Sequence, residues 1–326
     1  MTWDAIVIGG GSAGLATALT LARAVRRTLI VDAGSPRNHL APHSHGVIGF
    51  DGVAPARMLA AGTDEFRRFG GEVTTDEVVS AGRAGSDFVL KTASGELLRC
   101  RQLVVATGVR DEIPTVPGVA GLWGKRVVIC PYCDGWEWRG RRIGILGTSA
   151  KSIGQAQLLR QWSDRVTLFT NRAVAPDATE SVELRARGID VVDAAVLGIT
   201  RVDDGVLGLR TDAGNHEVDV VFTAPRVVPN DSILRALGAA SASTAAGTFV
   251  TVDARGATSI DGLWAAGNVV DPSLKVQTAA GNGMATGTHV NERLVRLDID
   301  AALAEAGAFV SQEAARPSST VIDGTK

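Results

Sequence analysis

The stretch Asp4-Ala5-Ile6-Val7-Ile8-Gly9-Gly10-Gly11-Ser12-Ala13-Gly14 decides how the rest of the chain is read. An apolar run of strand length enters a turn of glycines, and Leu15 to Arg23, rich in helix formers, follows it. A second apolar run, Thr28-Leu29-Ile30-Val31, ends on Asp32. Strand, G-x-G-x-x-G turn, helix, strand and an acid about twenty residues on form the dinucleotide-binding βαβ pattern. Gly9 permits the tight turn, Gly11 lets a pyrophosphate approach bare backbone, and Gly14 lets helix and strand pack closely. The helix N-terminus then faces the phosphates, and Asp32 can accept hydrogen bonds from a ribose.

Outward from this unit, Glu72 to Val105 read as short alternating strands, the last ending in the small residues Ala106-Thr107-Gly108. Pro114 and Pro117-Gly118 interrupt the chain as a domain boundary does. The scheme then repeats: a strand at Arg142–Leu146, a turn at Gly147–Ser152, a helix at Ile153–Trp162 and a strand at Val166–Phe169. Further strands are expected around Asp190–Val192, Gly205–Leu209 and Val218–Ala224. Near Thr248 the chain returns to its first domain, with a last strand at Gly262–Asn268 and a helix from about Thr278 to Arg296. These patterns predict an α/β fold of two Rossmann-like, three-layer domains, the second inserted into the first. The expected spans are residues 1–113 and 248–311 for the first domain and 114–247 for the inserted one. Residues 312–326, rich in Ser, Pro and Gly, are expected to form a disordered tail.

With 326 residues, 45% hydrophobic and 21% charged, the chain has the composition of a globular protein with a sizeable core. A net charge of −2 gives no electrostatic case for nucleic acid or an anionic membrane as partner. No apolar run approaches the ~20 residues needed to span a bilayer. The N-terminus runs straight into a strand without the pattern of a signal peptide, so the cytoplasm is the expected compartment. Three cysteines, Cys100, Cys130 and Cys133, are too few for a disulfide framework, and a Cys-x-x-Cys pair in this setting suggests metal or redox chemistry.

Taken in order, the glycine fingerprint, Ala106-Thr107-Gly108, Cys130-Pro131-Tyr132-Cys133-Asp134-Gly135, the second βαβ unit and Trp264-Ala265-Ala266-Gly267-Asn268 resemble the low-molecular-weight thioredoxin reductases over nearly the whole chain. The resemblance implies a homodimer whose discontinuous first domain holds FAD. The inserted domain would carry the cysteine pair and, ordinarily, NADPH. Carried over by motif, Gly9, Gly11, Ser12, Ala13 and Gly14 would contact the FAD pyrophosphate and Asp32 the adenosine ribose. Ala33, Arg37, His45 and Val79 join the implied cofactor set. Ala106, Thr107 and Gly108 would lie along the cofactor, with Gly267 and Asn268 at the ribityl and phosphate region and Lys275-Val276 at the isoalloxazine. Asn268 stands where the family carries Asp, which keeps an acceptor and removes a charge.

Three features set the chain apart from ordinary thioredoxin reductases: Cys-Pro-Tyr-Cys, the segment Arg37-Asn38 with His43-Ser44-His45-Gly46 and Asp51-Gly52, and an eroded second fingerprint. All three resemble the side branch of dithiol oxidases that close disulfides in natural products of the gliotoxin and holomycin type. The chain keeps Asp134 where many of that branch carry His. In the second turn only Gly147 is bare, and Ser149 is expected to intrude where pyrophosphate approaches, with left-handed strain of ~1–2 kcal/mol besides. Thr170-Asn171-Arg172 stands where the family reads the 2′-phosphate with His-Arg-Arg, so one guanidinium is missing. Productive use of NADPH is therefore doubtful.

A closed zinc site needs four ligands and this motif supplies two, which leaves a redox pair over a metal site or two inert packed thiols. Pro131 suits the first turn of a helix and so places Cys130 at its N-cap, where the dipole favours a thiolate. Cys130 is expected to be the exposed attacking thiol, Cys133 to face the flavin, and Asp134 to exchange protons. Trp136 and Trp138 are expected to alternate along a strand after the motif, and Cys100 to be a small buried hydrophobe. The function expected is oxidation of a small-molecule dithiol by an FAD enzyme, with oxygen taking the electrons. The alternatives are an NADPH-dependent reductase of a low-molecular-weight disulfide or a thioredoxin-like protein, and a flavoprotein that signals by docking a redox partner.

Overall fold

The computed structural model of the protein describes residues 2–203 and 205–314. The first segment contains β1 (Trp3–Ile8), α1 (Ser12–Arg23), β2 (Thr28–Asp32), α2 (Pro55–Arg68), β3 (Glu72–Thr75), β4 (Val78–Ala84), β5 (Asp87–Thr92), β6 (Leu97–Val105) and β7 (Val109–Glu112). Then come α3 (Val119–Leu122), β8 (Val127–Val128), α4 (Pro131–Asp134), β9 (Ile143–Leu146), α5 (Lys151–Leu159), β10 (Val166–Phe169), α6 (Ala178–Ala186), β11 (Asp190–Val192), β12 (Val196–Arg201), β13 (Leu207–Thr211), β14 (Gly214–Val218), β15 (Val220–Thr223) and β16 (Arg226–Pro229). The chain closes with α7 (Ser232–Ala236), β17 (Ser241–Thr244), β18 (Gly247–Val250), β19 (Leu263–Ala265) and α8 (Val276–Ala314).

Two sheets organise the described residues. In the first, β3, β2, β1 and β6 run in parallel, and β6 divides its other edge between antiparallel β5 at its start and parallel β19 at its end. In the second, the order β11-β10-β9-β15-β8 is parallel throughout, and the antiparallel β12-β13-β14 forms a separate sheet. Parallel strands are buried on both faces, which is why Ile6, Val7, Leu103, Val104, Ile143 and Ile145 read as continuous apolar runs. The chain passes between the sheets twice, at β7 and at β16, and these two connectors pair with each other antiparallel. Ile233, Leu234 and Ala239, expected in the inserted segment, pack instead in the first core with Trp3, Ile6 and Phe88. The reason is that the chain has already crossed back at β16, and α7 falls against the face of the first sheet.

Close contact between α1 and α8 fixes the floor of the first domain. A Cβ at Gly283 would overlap the Ala13 carbonyl, and one at Gly287 would stand 2.8 Å from the Thr17 carbonyl. The Thr17 hydroxyl donates to the Gly283 carbonyl at 2.9 Å, sealing the crossing. The small residues of Thr278 to Thr288 are therefore a packing requirement. Gly283→Ala is expected to push the helices apart and cost about 1–3 kcal/mol, read as an earlier midpoint in chemical denaturation together with loss of bound flavin. The helix expected to end near Arg296 continues to Ala314, so the tail expected from residue 312 begins inside α8, and its remainder, 315–326, lies outside the described residues. Among the described residues no helix is long and apolar enough to cross a membrane.

Candidate active site

The glycine turn is built as its chemistry requires. Gly9 has φ +101°, and a Cβ there would stand 2.5 Å from the Ala106 carbonyl; at Gly14 a Cβ would overlap the Gly9 carbonyl. Beside Gly11 the space is open. Gly10 donates its N–H to one oxygen of Asp32 at 2.8 Å, which leaves the other oxygen for a ligand. Val79 lies at the register shift of β4, between Val78 paired with Thr92 and Ser80 paired with Lys91, so its backbone stands outside the ladder. Ala33 follows directly on Asp32 and is exposed.

Opposite the turn, Gly267 has φ +78°, and its N–H donates to Asn282 Oδ1 at 2.7 Å. The Asn268 amide donates to the carbonyls of Asp271 and Leu274, both at 2.9 Å. An Asp there could make neither bond, so the change noted in the sequence serves the loop that leads into α8. Asn230 holds the strand end at 106–108: its amide donates to the Thr107 carbonyl at 3.0 Å and its carbonyl accepts from the Thr107 hydroxyl at 2.7 Å. Arg37 spends its guanidinium on both oxygens of Asp111, at 2.8 and 2.6 Å, clamping the segment after β2 to the connector β7.

Cys130 and Cys133 form a disulfide, with their Cα atoms 5.2 Å apart. Cys130 is the N-cap of the short α4, Pro131 its first residue, and the Cys130 carbonyl accepts from the N–H groups of Cys133 and Asp134. Lys275, immediately before α8, places its ammonium 4.2 Å from the centre of the Tyr132 ring. Tyr132 meets Trp162 edge-on, with ring centres 5.7 Å apart. The cysteine motif of the inserted segment is thereby set against the start of α8, beside Val276.

Asp134 is partly buried, and its carboxyl is pushed up to about 6. Burial is the main cause, the Glu137 carboxylate adds to it, and His45 draws it back. His45 lies between two carboxylates, with Nε2 3.7 Å from Glu137 and Nδ1 3.4 Å from Asp51. The strand expected after the motif is absent, because residues 135–140 form turns. Trp138 packs in the core of the inserted sheet, while Trp136 is exposed with the Arg139 guanidinium 4.2 Å from its ring centre. Cys100 is fully buried on β6, and burial drives its thiol well above the ordinary range.

The second glycine turn is closed on itself. A Cβ at Gly147 would stand 2.6 Å from the Thr170 carbonyl, so this glycine answers a packing demand between β9 and β10. The Thr148 N–H donates to the Ser152 hydroxyl at 3.2 Å, and Asn171 donates to the Gly147 carbonyl at 3.3 Å while accepting from the Val196 N–H at 3.0 Å. Arg172 pairs with Asp212. The left-handed strain expected at Ser149 is not there: its carbonyl accepts from the Ser152 N–H at 2.9 Å in a tight turn, and positive φ falls on Asn171 and Arg172 instead.

The family model described as pyridine nucleotide-disulphide oxidoreductase matches residues 3–283. The chain belongs to this family. A thioredoxin reductase named sirT, from Leptosphaeria maculans, is 30% identical over 317 residues, covering 92% of this chain and 96% of that protein. The crystal structure of HlmI superposes with a TM-score of 0.89 at 39% identity, covering 95% of this chain and 98% of that one. An oxidoreductase from Agrobacterium tumefaciens gives 0.85 at 32% identity, over 90% of this chain and 99% of the other. As a pyridine nucleotide-disulphide oxidoreductase the protein is a flavin-dependent thiol–disulfide oxidoreductase, and the family implies FAD. The cradle fits that group: open space beside Gly11, a free oxygen on Asp32, and the starts of α1 and α8 brought together through Gly267 and Asn282.

Sequence reasoning missed Asn230, Asn282, Glu137 and the Lys275–Tyr132 contact. Glu137 alone carried a local signal, since three residues on a turn place it beside Asp134.

Proposed function

We propose that the protein oxidises a small-molecule dithiol to its disulfide with oxygen as the final acceptor, and that nicotinamide does not drive it. One observation carries this reading: the Thr148 N–H of the second nucleotide turn is taken by the Ser152 hydroxyl and Gly147 answers the packing of β9 on β10, while the space at Gly11 of the first turn is open; the Cys130–Cys133 pair is a formed disulfide. A buried polar group that already has a partner gains little from a ligand and loses that partner to it. Arg172 pairs with Asp212 at the surface, so a 2′-phosphate would compete with that carboxylate for the one guanidinium of the motif.

On this reading residues 1–113 and 248–311 bind FAD, with Gly9, Gly11, Ser12, Ala13 and Gly14 at the pyrophosphate and Asp32 and Ala33 at the ribose. Val79 reads the adenine end with its backbone, and Ala106, Thr107, Gly108, Gly267 and Asn268 flank the middle. Lys275 and Val276 meet the ring system, and Arg37 and His45 hold the segment that covers it. Residues 114–229 carry the dithiol chemistry, residues 230–247 rejoin the first core through α7, and a homodimer is the assembly.

A substrate thiolate attacks Cys130, and Cys133 leaves as a thiolate. Asp134 takes the proton of the incoming thiol and returns it to a leaving sulfur. The second substrate sulfur then displaces Cys130, so one S–S bond is made as another is broken and two S–H protons pass to the protein. FAD, held by the residues named above, would supply the two-electron acceptor that reoxidises the cysteines and the route by which the pair reaches oxygen. The net change converts dithiol and oxygen to disulfide and hydrogen peroxide.

Anaerobic stopped-flow mixing tests this. A dithiol is expected to bleach the flavin absorbance at least ~100-fold faster than NADPH at equal concentration, a difference of ~2.7 kcal/mol in barrier. Rapid bleaching by NADPH would establish the reductase reading, to which the relative named thioredoxin reductase lends weight. Turnover only in the presence of a protein partner would favour the docking flavoprotein.

A further inference from the structure

We propose that His45 is the group through which protons enter and leave the dithiol site, passing between the Asp134–Glu137 carboxyl pair and Asp51 at the protein surface. The inference rests on the dithiol-oxidase reading, because that reaction moves two protons per turnover through Asp134. Those protons need an outlet. Asp134 is partly enclosed, and when the cysteines are reoxidised their two protons must follow the electron pair or leave the site.

The described residues offer a built route. Glu137 lies three residues beyond Asp134 on the same turn, close enough to raise its proton affinity. His45 Nε2 stands 3.7 Å from Glu137, a gap that a small side-chain rotation or one water closes. The other ring nitrogen, Nδ1, points to Asp51 at 3.4 Å, so one imidazole spans carboxylates from two separate segments. The side chain of His45 is 22% exposed, that of Glu137 37% and that of Asp51 68%, so Asp51 is the most open of the three. Asp51 is fixed rather than trailing, because the Gly46 N–H donates to its other oxygen at 2.8 Å.

The loop that carries both is itself closed. Ser44 bridges Val53, the Gly52 N–H donates to the Ser44 carbonyl at 2.8 Å, and His43 Nδ1 lies 3.0 Å from the Gly52 carbonyl. The charged and titratable groups around the imidazole are Asp51 and His43 on its own loop, Asp134 and Glu137 on the motif turn, and Lys275 at the start of α8, the last turned onto Tyr132. An imidazole can take up a proton at one nitrogen while releasing one from the other, which an amide does not do at neutral pH.

The test uses the flavin-loaded protein with His45→Ala and His45→Gln. In His45→Ala, anaerobic bleaching by a dithiol such as dithiothreitol is expected to slow ~10- to 100-fold, and added imidazole to restore it in proportion to its concentration. His45→Gln, which keeps a polar contact to the loop, is expected to be equally slow when the rate is taken per bound flavin. A second readout needs no turnover: the pH profile of iodoacetamide labelling of Cys130 in the reduced protein is expected to shift by ~0.5 unit in His45→Ala and to return with imidazole. Wild-type bleaching rates in both variants, or a deficit that imidazole does not repair, would overturn the proposal and leave His45 a loop residue. If dithiol fails to bleach the wild-type protein, the oxidase reading itself is wrong. His45 is then judged by labelling alone, where an unchanged profile counts against it and an imidazole-reversible shift supports it.

Discussion

Replacement of Cys133 by serine is expected to abolish dithiol oxidation while leaving the protein yellow. On the proposed reading most flavin contacts come from Gly9 to Gly14, Asp32 and Gly267, outside the cysteine motif, and Lys275 meets that motif at Tyr132 rather than at Cys133, so cofactor content is expected to stay near the wild-type level. The sulfur chemistry has no substitute, because serine cannot form a disulfide, and turnover is expected to drop by at least ~10⁴-fold. The variant also separates the two cysteines. On the proposed mechanism Cys130, at the N-cap of α4, is the sulfur that meets substrate, so Cys133→Ser treated with the product disulfide should hold a mixed disulfide on Cys130, seen as an added mass. Cys130→Ser should hold far less. A mixed disulfide that accumulates on Cys133 instead would reverse the assignment.

The second large effect belongs to Asp134. Its carboxyl titrates near 6, raised chiefly by burial and then by Glu137, so it is mostly ionised at neutral pH and loses that form as the pH falls through 6. A base at this position makes the dithiol half-reaction rise with pH to a plateau above about 6. Asp134→Asn is expected to lower the plateau ~10²- to 10⁴-fold and to erase the step, as measured by the rate of anaerobic flavin bleaching between pH 5 and 8. A full-sized step that survives in Asp134→Asn would assign the titration to another group.

Stability is expected to move the other way. An acid raised on folding disfavours the folded state once the unfolded chain ionises, so the cost of Asp134 is absent below about pH 4 and grows to its full value above 6. Asp134→Asn should therefore melt later than wild type at pH 7.5 and at the same temperature near pH 4. Activity and stability are opposed at this residue because the burial that tunes the acid also penalises its charge.

Much of this was written in local sequence. Asp4 to Gly14 with Asp32 specified the first nucleotide turn, because bare backbone and a strand-end acid are demands met within one βαβ unit. Cys130-Pro131-Tyr132-Cys133 specified an N-capped pair, because a proline at the first helical position acts over a single turn. Other features depended on which segments meet. The small residues of Thr278 to Thr288 take their meaning from Ala13 and Thr17, some 270 positions earlier and set against them by the α1–α8 crossing. Asn268 donates its amide to the carbonyls of Asp271 and Leu274, a role in the loop that its place in the motif does not encode. Ser149 looked strained until the turn around it proved to follow another path. The His45–Glu137 approach joins residues about ninety positions apart, and no propensity or spacing encodes such a meeting. Sequence determined the elements and the chemistry each can support, since those follow from a few adjacent residues. The tertiary structure decided which polar groups were already partnered, because partners such as Asn171 and Gly147 are brought together only by the packing of separate strands.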